Sequence, residues 1–353
     1  MDEQVNGAKR GRSTIRDVAA DAGVSVAAVS KVLRNAYGVS DALRQNVLSS
    51  IEKLGYRPST AARGMRGRTF TIGVLLVEIG NPFLPEVIAG ASEVCAAEGY
   101  KALIGIGGAT LTLEVSLIES MMDHGMDGLV LVAPRMSGDV LQTYAKLIPI
   151  TAIAHHEATA TTFDTINCDD LAGAALAVDA LAAQGFSDIA MVSPLYEDFA
   201  ESHMESHVAT LREAGYVSQM TKLGLSDRIR ILRTPPRGPE RITALTAMLD
   251  MPDRPRALFC WSDIDGTALV DIARAKGIRI PQDLAMIGFD NTPQSGTNLI
   301  ALSSIDQSPR ELGAEAVRAL LSRIGGRTQP IHHLTKPSLA SRTSHLAEPC
   351  AQS

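Results

Sequence analysis

The sequence predicts an α/β protein with a small all-α head and a larger body built on parallel β-sheets. Two observations carry this prediction. Capping residues and glycines divide the first 57 residues into three short helices, and from residue 70 onward short apolar runs alternate with helix-length amphipathic stretches. Strands that alternate with helices form parallel sheets covered on both faces. With 353 residues, the chain is long enough for about two or three domains.

The composition is that of a globular protein, with 45% hydrophobic and 20% charged residues. No run approaches the ~18 apolar residues that a membrane span needs, and residues 1–12 lack the apolar core of a secretory signal. The four cysteines include no C-x-x-C pair, which argues against a zinc ribbon or a disulfide framework. We therefore expect a cytoplasmic protein that does not bind membranes.

Charge is distributed unevenly along the chain. Residues 1–70 hold twelve Lys and Arg against six Asp and Glu, a charge of +6, while the rest of the chain carries −12. A small basic module on an acidic body indicates that the module alone meets a polyanion, although a merely solvated basic face is the simpler alternative.

The first two helices are predicted from their capping residues. Thr14, followed three positions later by Asp17, makes a capping box for the first helix. Gly23 supplies a turn, and Ser25 caps a second helix over 26–34.

A third, supporting helix is predicted from Ser40 to Leu54. Helix, glycine turn, helix and supporting helix is the plan of the helix-turn-helix, whose second helix lies in the DNA major groove. A purely structural three-helix bundle is the alternative. The outward residues of the second helix are small or cationic, as close contact with DNA requires.

A series of motifs runs along nearly the whole chain. The head carries T-I-R-D-V-A-A-D-A-G-V-S-V-A-A-V-S-K-V-L-R-N at 14–35 and L-G-Y-R-P-S-T-A-A-R-G-M at 54–65. The body carries N-P-F at 81–83, D-G-L-V-L at 127–131, G-I-R-I-P-Q-D-L-A-M-I-G-F-D-N at 277–291 and R-T-S at 342–344. Together these motifs resemble those of the LacI family of bacterial transcription regulators.

The resemblance implies which residues of the head meet DNA. Val26, Ala27 and Lys31 stand where the family reads base edges. Val26 and Ala27 offer only apolar contact, suited to a thymine methyl, whereas Lys31 can donate to guanine acceptors. The expected DNA-contacting residues, including those that meet phosphates, are Thr14, Arg16, Ser25, Val26, Ala27, Ala28, Ser30, Lys31, Arg34, Tyr56, Ser59, Ala62 and Met65.

We expect a helix-turn-helix domain over 1–57, a hinge over 58–69, an effector-binding and dimerisation domain over 70–340 and a tail over 341–353. In the family the hinge folds on DNA, where an apolar side chain from each subunit wedges into the minor groove. Met65 occupies that position here. A plain flexible tether is the alternative for this segment.

For the body, the resemblance implies two Rossmann-like lobes of the periplasmic-binding-protein type. We expect the chain to cross between the lobes near 158–166 and 290–308. The ligand should lie between the lobes, at the carboxyl ends of the strands. The expected effector-binding residues are Asn81, Phe83, His155, Phe199, His203, Ser262, Asp263 and Asp290.

Several of these positions depart from the family pattern. His203 stands where relatives commonly have an effector-binding Arg, and Pro236 where they often have an aromatic residue. A pocket without a fixed bidentate donor and a stacking plane should bind a different ligand from that of its relatives. We expect a small polar metabolite, foremost a carbohydrate or sugar derivative. The alternatives are helix caps for Asp263 and Asp290 and ordinary surface or core positions for the histidines.

The function that these features imply is transcription regulation without catalysis. A homodimer, as a repressor, would bind a pseudo-palindromic operator on double-stranded DNA, and a small effector would control its affinity. No hydrolase, Walker or kinase motif is present, so we expect neither an enzyme nor a cofactor. The pair His203 and His207 lacks the partners of an H-E-x-x-H metal site. The body alone would also suit a solute-binding or sensor protein, and the basic head argues for the regulator.

Overall fold

The structure, a computed structural model, describes residues 13–33, 36–57, 68–108, 110–195, 207–235 and 238–346. The chain divides into two compact units, residues 1–69 and residues 70–353. They correspond to the head with its hinge and to the body. Among the described residues, no helix combines the length and apolar character needed to cross a bilayer.

The head contains the three predicted helices. They are α1 (Ile15–Asp21), α2 (Val26–Leu33) and α3 (Asp41–Leu54). The predicted capping box is confirmed, because the Thr14 side chain accepts from the Asp17 backbone and the Asp17 carboxylate accepts from the Thr14 backbone.

A small apolar core holds the three helices together. It is built from Val18 of α1, Val29 of α2, Val47 of α3 and Tyr56, all buried. The Asn46 side-chain amide donates to the Ala22 carbonyl oxygen at 2.8 Å, which ties α3 to the turn after α1. These contacts leave one side of α2 facing outward.

The described part of the body contains twelve strands and eight helices. In chain order the strands are β1 (Thr71–Leu76), β2 (Lys101–Ile106), β3 (Gly128–Val132), β4 (Ile150–Ile153), β5 (Asp164–Cys168), β6 (Ile189–Pro194), β7 (Ile231–Thr234), β8 (Ala257–Cys260), β9 (Ala285–Phe289), β10 (Ser303–Asp306), β11 (His332–Thr335) and β12 (Ser338–Ala340). The helices are α4 (Phe83–Ala97), α5 (Leu111–Asp123), α6 (Gly138–Ala145), α7 (Asp170–Ala183), α8 (Val208–Lys222), α9 (Pro239–Leu249), α10 (Asp263–Ala275) and α11 (Pro309–Ile324).

Two six-stranded sheets form the two predicted lobes. The first has the order β11-β5-β4-β3-β1-β2 and the second the order β12-β10-β9-β8-β6-β7. Neighbouring strands are parallel except β10 and β12, which pair antiparallel. Apolar clusters pack against the faces of each sheet, so each lobe has its own core.

The chain crosses between the lobes three times. The crossing expected at 158–166 is wrong, because residues 164–168 form β5 inside the first sheet and the chain leaves only after Cys168. The return occurs after Asp306, at the end of the expected range. A third crossing, between β11 and β12, was not predicted.

The body also continues beyond the expected boundary at residue 340. Residues Thr343–His345 form a short 3-10 turn. The Ser344 hydroxyl donates to the Met286 carbonyl oxygen at 2.6 Å and accepts from the Ser303 backbone at 2.8 Å. Residues 343–345 therefore belong to the second lobe and not to a tail.

Helices α4 and α11 cross in very close contact on the first lobe. At the crossing, Gly90 of α4 faces the Arg310 backbone and Gly313 of α11 faces the Val87 carbonyl oxygen. A Cβ atom at either glycine would overlap the opposite backbone. Because backbone cannot move aside as a flexible side chain does, only glycine fits here.

We expect Gly313→Ala to destabilise the body by about 1–3 kcal/mol or more, the cost of overpacking a rigid contact. Urea unfolding monitored by circular dichroism measures the change. The control is Arg318→Ala on the exposed face of the same helix, which should change stability by no more than about 0.5 kcal/mol. Equal stability of the Gly313 variant and the unchanged protein would contradict the close packing.

Candidate functional site

One face of the head gathers most of the predicted DNA contacts. Thr14 and Arg16 at the start of α1, and Ser25, Val26, Ala27 and Lys31 along α2, are all exposed. The Ser25 hydroxyl accepts from the Ala28 backbone at 3.1 Å and so caps α2. Small side chains at the start of this helix leave its backbone accessible, as a helix that enters the major groove requires.

Other predicted DNA contacts lie elsewhere. Ser30 and Tyr56 are buried, with 6% and 9% of their surface exposed, and Tyr56 belongs to the core of the head. Ala28 is half-buried. The remaining predictions, Arg34, Ser59, Ala62 and Met65, lie outside the described residues.

A cavity of about 620 Å³ lies between the two lobes of the body. It opens at the carboxyl ends of the strands, as expected for parallel sheets. Its lining residues are Val77, Glu78, Gly80, Asn81, Phe83, Leu84, Ala133, Pro134, Arg135, Met136, Ala154, His155, Pro194, Leu195, His207, Val208, Arg212, Thr234, Pro235, Gly238, Arg241, Trp261, Ile264, Asp265, Asp290 and Gln307.

Arg212 of α8 is held in a fixed position on the second-lobe side of the cavity. Its Nε donates to Asp170 Oδ1 at 2.7 Å and its Nη1 donates to the Trp261 carbonyl oxygen at 2.6 Å. Its guanidinium lies over the Phe289 ring, 3.6 Å from the ring centroid. Because hydrogen bonds and the ring fix its orientation, the side chain presents its remaining N–H groups in one direction.

A second arginine is fixed on the same wall. Arg241 Nε donates to Asp265 Oδ1 at 2.5 Å, and the Trp261 indole donates to Asp265 Oδ2 at 2.7 Å. Both oxygens of the Asp265 carboxylate are therefore occupied, although burial raises its pKa. Since the Trp261 carbonyl oxygen also accepts from Arg212, one continuous network connects the two guanidinium groups through Trp261.

Asp290, one of the predicted effector-binding residues, directly follows β9 and lines the cavity. It is buried, and Gln307 Nε2 donates to its Oδ1 at 2.7 Å. Its Oδ2 accepts no hydrogen bond from the described residues. Burial raises the pKa of Asp290 to about 8, against the lowering effect of Arg212 Nη1 at 3.8 Å.

The backbone at Asp290 is strained. Asp290 has φ of 114° and Asn291 has φ of 51°, both in the region that favours glycine. Such strain persists only where surrounding contacts fix it, and it is common at ligand sites. Here the Asn291 side chain accepts from Arg342 at 2.5 Å and its backbone donates to Ser304 at 2.9 Å.

Asn81, Phe83 and His155 also line the cavity, as predicted. Ser262 and Asp263 do not. Ser262 caps α10 by accepting from Ile264, so the cap is Ser262 and not Asp263, for which the capping alternative was given.

Asp263 faces away from the cavity. Its Oδ2 accepts from the Thr292 backbone and hydroxyl, and its Oδ1 accepts from the Ser304 hydroxyl at 2.6 Å. These bonds anchor the turn that follows β9. Asp263 and Asp290 were both expected to bind the effector, but only Asp290 lines the cavity.

The expected loss of a fixed bidentate donor and of a stacking plane is wrong. Arg212 and Arg241 supply guanidinium groups, and Trp261 supplies an aromatic plane. Phe199, His203 and Pro236 lie outside the described residues. Trp261 directly follows β8, a position that strand-end spacing could have indicated, whereas Arg212 lies within a helix, where that spacing gives no signal.

The loop after β3 brings a third arginine to the cavity. The Arg135 backbone donates to Oε2 and Oε1 of Glu114, a buried residue of α5, at 3.0 and 3.2 Å. Burial raises the pKa of Glu114 to about 7. Across the cavity, burial and nearby Arg212 lower the pKa of His207 to about 4, so this histidine is uncharged at neutral pH.

The raised pKa of Asp290 predicts how stability depends on pH. The folded protein keeps a proton at Asp290 up to about pH 8, whereas the unfolded chain releases it near pH 4. This group therefore lowers stability progressively as pH rises between those values. We expect Asp290→Asn to be more stable than the unchanged protein at pH 8, on the order of a few kcal/mol, with the difference shrinking toward pH 5.

Chemical denaturation at several pH values measures this difference. The control is Asp227→Asn at an exposed position, which should follow the curve of the unchanged protein. A stability difference for Asp290→Asn that is the same at pH 5 and pH 8 would show that the buried carboxyl is not protonated.

Comparison with known proteins agrees with this architecture. Residues 14–59 match the family described as bacterial regulatory proteins, lacI family, and residues 178–345 match a periplasmic binding protein-like domain. The HTH-type transcriptional repressor CytR of Escherichia coli (strain K12) is 30% identical over 316 residues, which cover 89% of this chain and 90% of CytR.

Solved structures show the same fold. The lac repressor dimer bound to operator and the anti-inducer ONPF superposes with a TM-score of 0.80 at 21% identity, covering 96% of this chain and all of that one. The transcriptional regulator CelR in complex with cellobiose has a TM-score of 0.66 at 23% identity, covering 94% of this chain and all of that one. The head, the two-lobed body and the similarity to CytR show that this chain belongs to the LacI family, whose members are DNA-binding transcription regulators and not enzymes.

Proposed function

We propose that the protein is a cytoplasmic transcriptional repressor that binds a pseudo-palindromic operator as a homodimer. A small effector bound between the lobes controls its affinity for the operator. The observation that carries this proposal is the presence, in one chain, of an exposed cationic helix-turn-helix face and of a polar cavity between two lobes.

The exposed face of α2 supports sequence-specific recognition. Val26 and Ala27 fit against thymine methyl groups, and the Lys31 ammonium reaches the O6 and N7 acceptors of guanine. Thr14 and Ser25 lie at the starts of α1 and α2, where hydroxyl and backbone N–H groups contact phosphates. Phosphate contacts position the helix, and the three α2 side chains select the sequence.

The cavity supports control by a small polar molecule, for which a sugar or sugar derivative is the first candidate. Trp261 offers an aromatic plane, and Asn81, Gln307, Arg212 and Asp290 offer polar groups that fix an orientation. CelR, with a similar fold, is in complex with cellobiose. A ligand that favours one arrangement of the lobes shifts the protein toward it, and this coupling changes operator affinity.

Lys31→Ala should relax the preference for one base pair in each half-site, by about 1–3 kcal/mol of discrimination. Selection of random double-stranded DNA by the full-length protein, at near-physiological salt, measures the preference. The matched control is Lys53→Ala, which removes a cation that pairs with Asp21 on α3. This control should keep the selected sequence.

The outcomes of the selection are distinct. A palindrome for the unchanged protein, with one relaxed position for Lys31→Ala, supports the regulator. Equal weakening on all sequences would make Lys31 a phosphate contact. Salt-sensitive binding without any selected motif, both alone and with a metabolite mixture, would favour a sensor protein whose head is only electrostatic.

The dimer has a candidate interface along β2, the edge strand of the first sheet. Leu103, Ile104 and Ile106 of this strand are about half exposed, and an apolar sheet edge without a neighbouring strand favours pairing with another chain. We expect light scattering to give about twice the chain mass of 37.4 kDa.

Ile104→Lys should weaken the dimer at least about tenfold, because the charge is desolvated at the interface. Leu334→Lys is the matched control, since Leu334 is equally exposed on β11 at the opposite edge of the same sheet. A tetramer, or a dimer that resists Ile104→Lys, would contradict this interface.

A further inference from the structure

The carboxylate oxygens on the second-lobe wall of the cavity are already engaged. Asp265 accepts from the Trp261 indole and from Arg241, and Asp170, behind the wall, accepts from Arg212 and contacts His156 Nε2 at 2.8 Å. Each of these carboxylates uses both of its oxygens. Neither carboxylate therefore has an oxygen that lacks a partner.

The donors on the same wall are not exhausted. Arg212 uses Nε and Nη1, and Arg241 uses Nε. No described residue accepts from Arg212 Nη2 or from either Nη of Arg241. Both side chains line the cavity, so within the described part of the chain these N–H groups are open to a ligand.

Asp290 lies beside this set of donors. Gln307 donates to Oδ1, while the buried Oδ2 meets no donor in hydrogen-bond geometry among the described residues. The charged and polar groups around the carboxyl are Arg212 from α8, Asp263 from α10, Asn81 and Gln307, and the side chains of Asn81 and Gln307 lower its pKa. Burial has the larger effect and raises the pKa of Asp290 to about 8.

A wall of donors selects the chemistry of its ligand. A sugar hydroxyl brings a hydrogen together with each acceptor oxygen, and at Asp265 or Asp170 that hydrogen would have to share an oxygen that already has a partner. A carboxylate or phosphate brings acceptor oxygens only, and a guanidinium binds either group with paired, charge-assisted hydrogen bonds.

We propose that the effector carries an anionic oxygen group, a carboxylate or a phosphate, that docks against Arg212 and Arg241 beside Asp290. This inference rests on the proposed function, because it names the class of ligand for that cavity. Trp261, which lines the same cavity, then stacks on the uncharged part of the molecule. An acidic sugar derivative, such as a sugar acid or sugar phosphate, has both parts.

The test compares molecules that differ only in the anionic group. Full-length protein is titrated near pH 7 with D-gluconate against D-glucitol, D-glucuronate against D-glucose, and D-glucose 6-phosphate against D-glucose. Trp261 is the only tryptophan in the chain and lines the cavity, so its fluorescence reports occupancy, with calorimetry as a second readout. We expect at least one anion to bind ten times or more tightly than its neutral partner. The first two pairs test a carboxylate and the third a phosphate.

Variants locate the anion within the cavity. Arg241→Gln should reduce the affinity for the preferred anion at least tenfold, whereas Arg318→Gln, on the exposed face of α11, should not change it. Affinity should fall as pH rises above about 8, where Asp290 loses its proton. Asp290→Asn should remove that pH dependence, and Asp290→Ala should weaken binding at every pH.

A neutral partner that binds as tightly as its anion would overturn this inference, as would binding by neither member of any pair. An anion whose affinity is the same in Arg241→Gln would also overturn it. None of these results touches the DNA selection, which tests the regulator separately. A neutral sugar that alters operator affinity would leave the proposed function intact and remove only the anionic class.

Discussion

The buried ion pair between Arg212 and Asp170 is the interaction on which the rest of the ligand site depends. Asp170 begins α7 directly after the chain leaves the first lobe, and Arg212 reaches it from α8 at 2.7 Å. His156, which follows β4 of the first lobe, contacts the other oxygen of the same carboxylate. Removing one member of such a pair leaves an uncompensated buried charge, which costs about 3–5 kcal/mol. The guanidinium that faces the ligand is therefore held by the same group that joins the two lobes.

The crossings between the lobes explain why the polar groups converge. The second crossing contributes Gln307 to the cavity, and residues that follow strands of both lobes, such as Ala133 and Asp290, meet there. Gln307, in the second crossing, donates to Asp290 and lies immediately before α11. That helix is locked onto α4 at Gly313 and cannot tilt independently of the first lobe. A movement of Asp290 can therefore reach the packed helices α4 and α11 of the first lobe through Gln307.

The sequence predicted the fold better than it predicted the site, and the reason is physical. Strands such as β1 and β3 are continuous apolar runs, and their pattern alone identifies them. The strand β5 reads D-T-I-N-C and lies where a crossing between the lobes was expected, because its buried Asp164 is paired with Arg323 and Arg327 from distant parts of the chain. Strand-end positions placed Asn81 and Asp290 at the cavity. Arg212 gave no such signal, because its role arises from the packing of α8 and not from its position along a strand.

The hydrogen-bond donors on the second-lobe side of the cavity, Arg212 and Arg241, bear on how a ligand could regulate the protein. Asp290 has a strained backbone, and Arg212 and Arg241 have N–H groups without an acceptor among the described residues, so this part of the cavity is less fully paired than an ordinary interior. These donors belong to the second lobe, whereas Asn81 and Phe83 line the cavity from the first. Under the proposed function, a ligand that contacts both sets at once binds an arrangement that brings the lobes together more tightly than one that separates them. The difference between the two binding free energies sets the largest effect that a ligand can have on operator binding by the head.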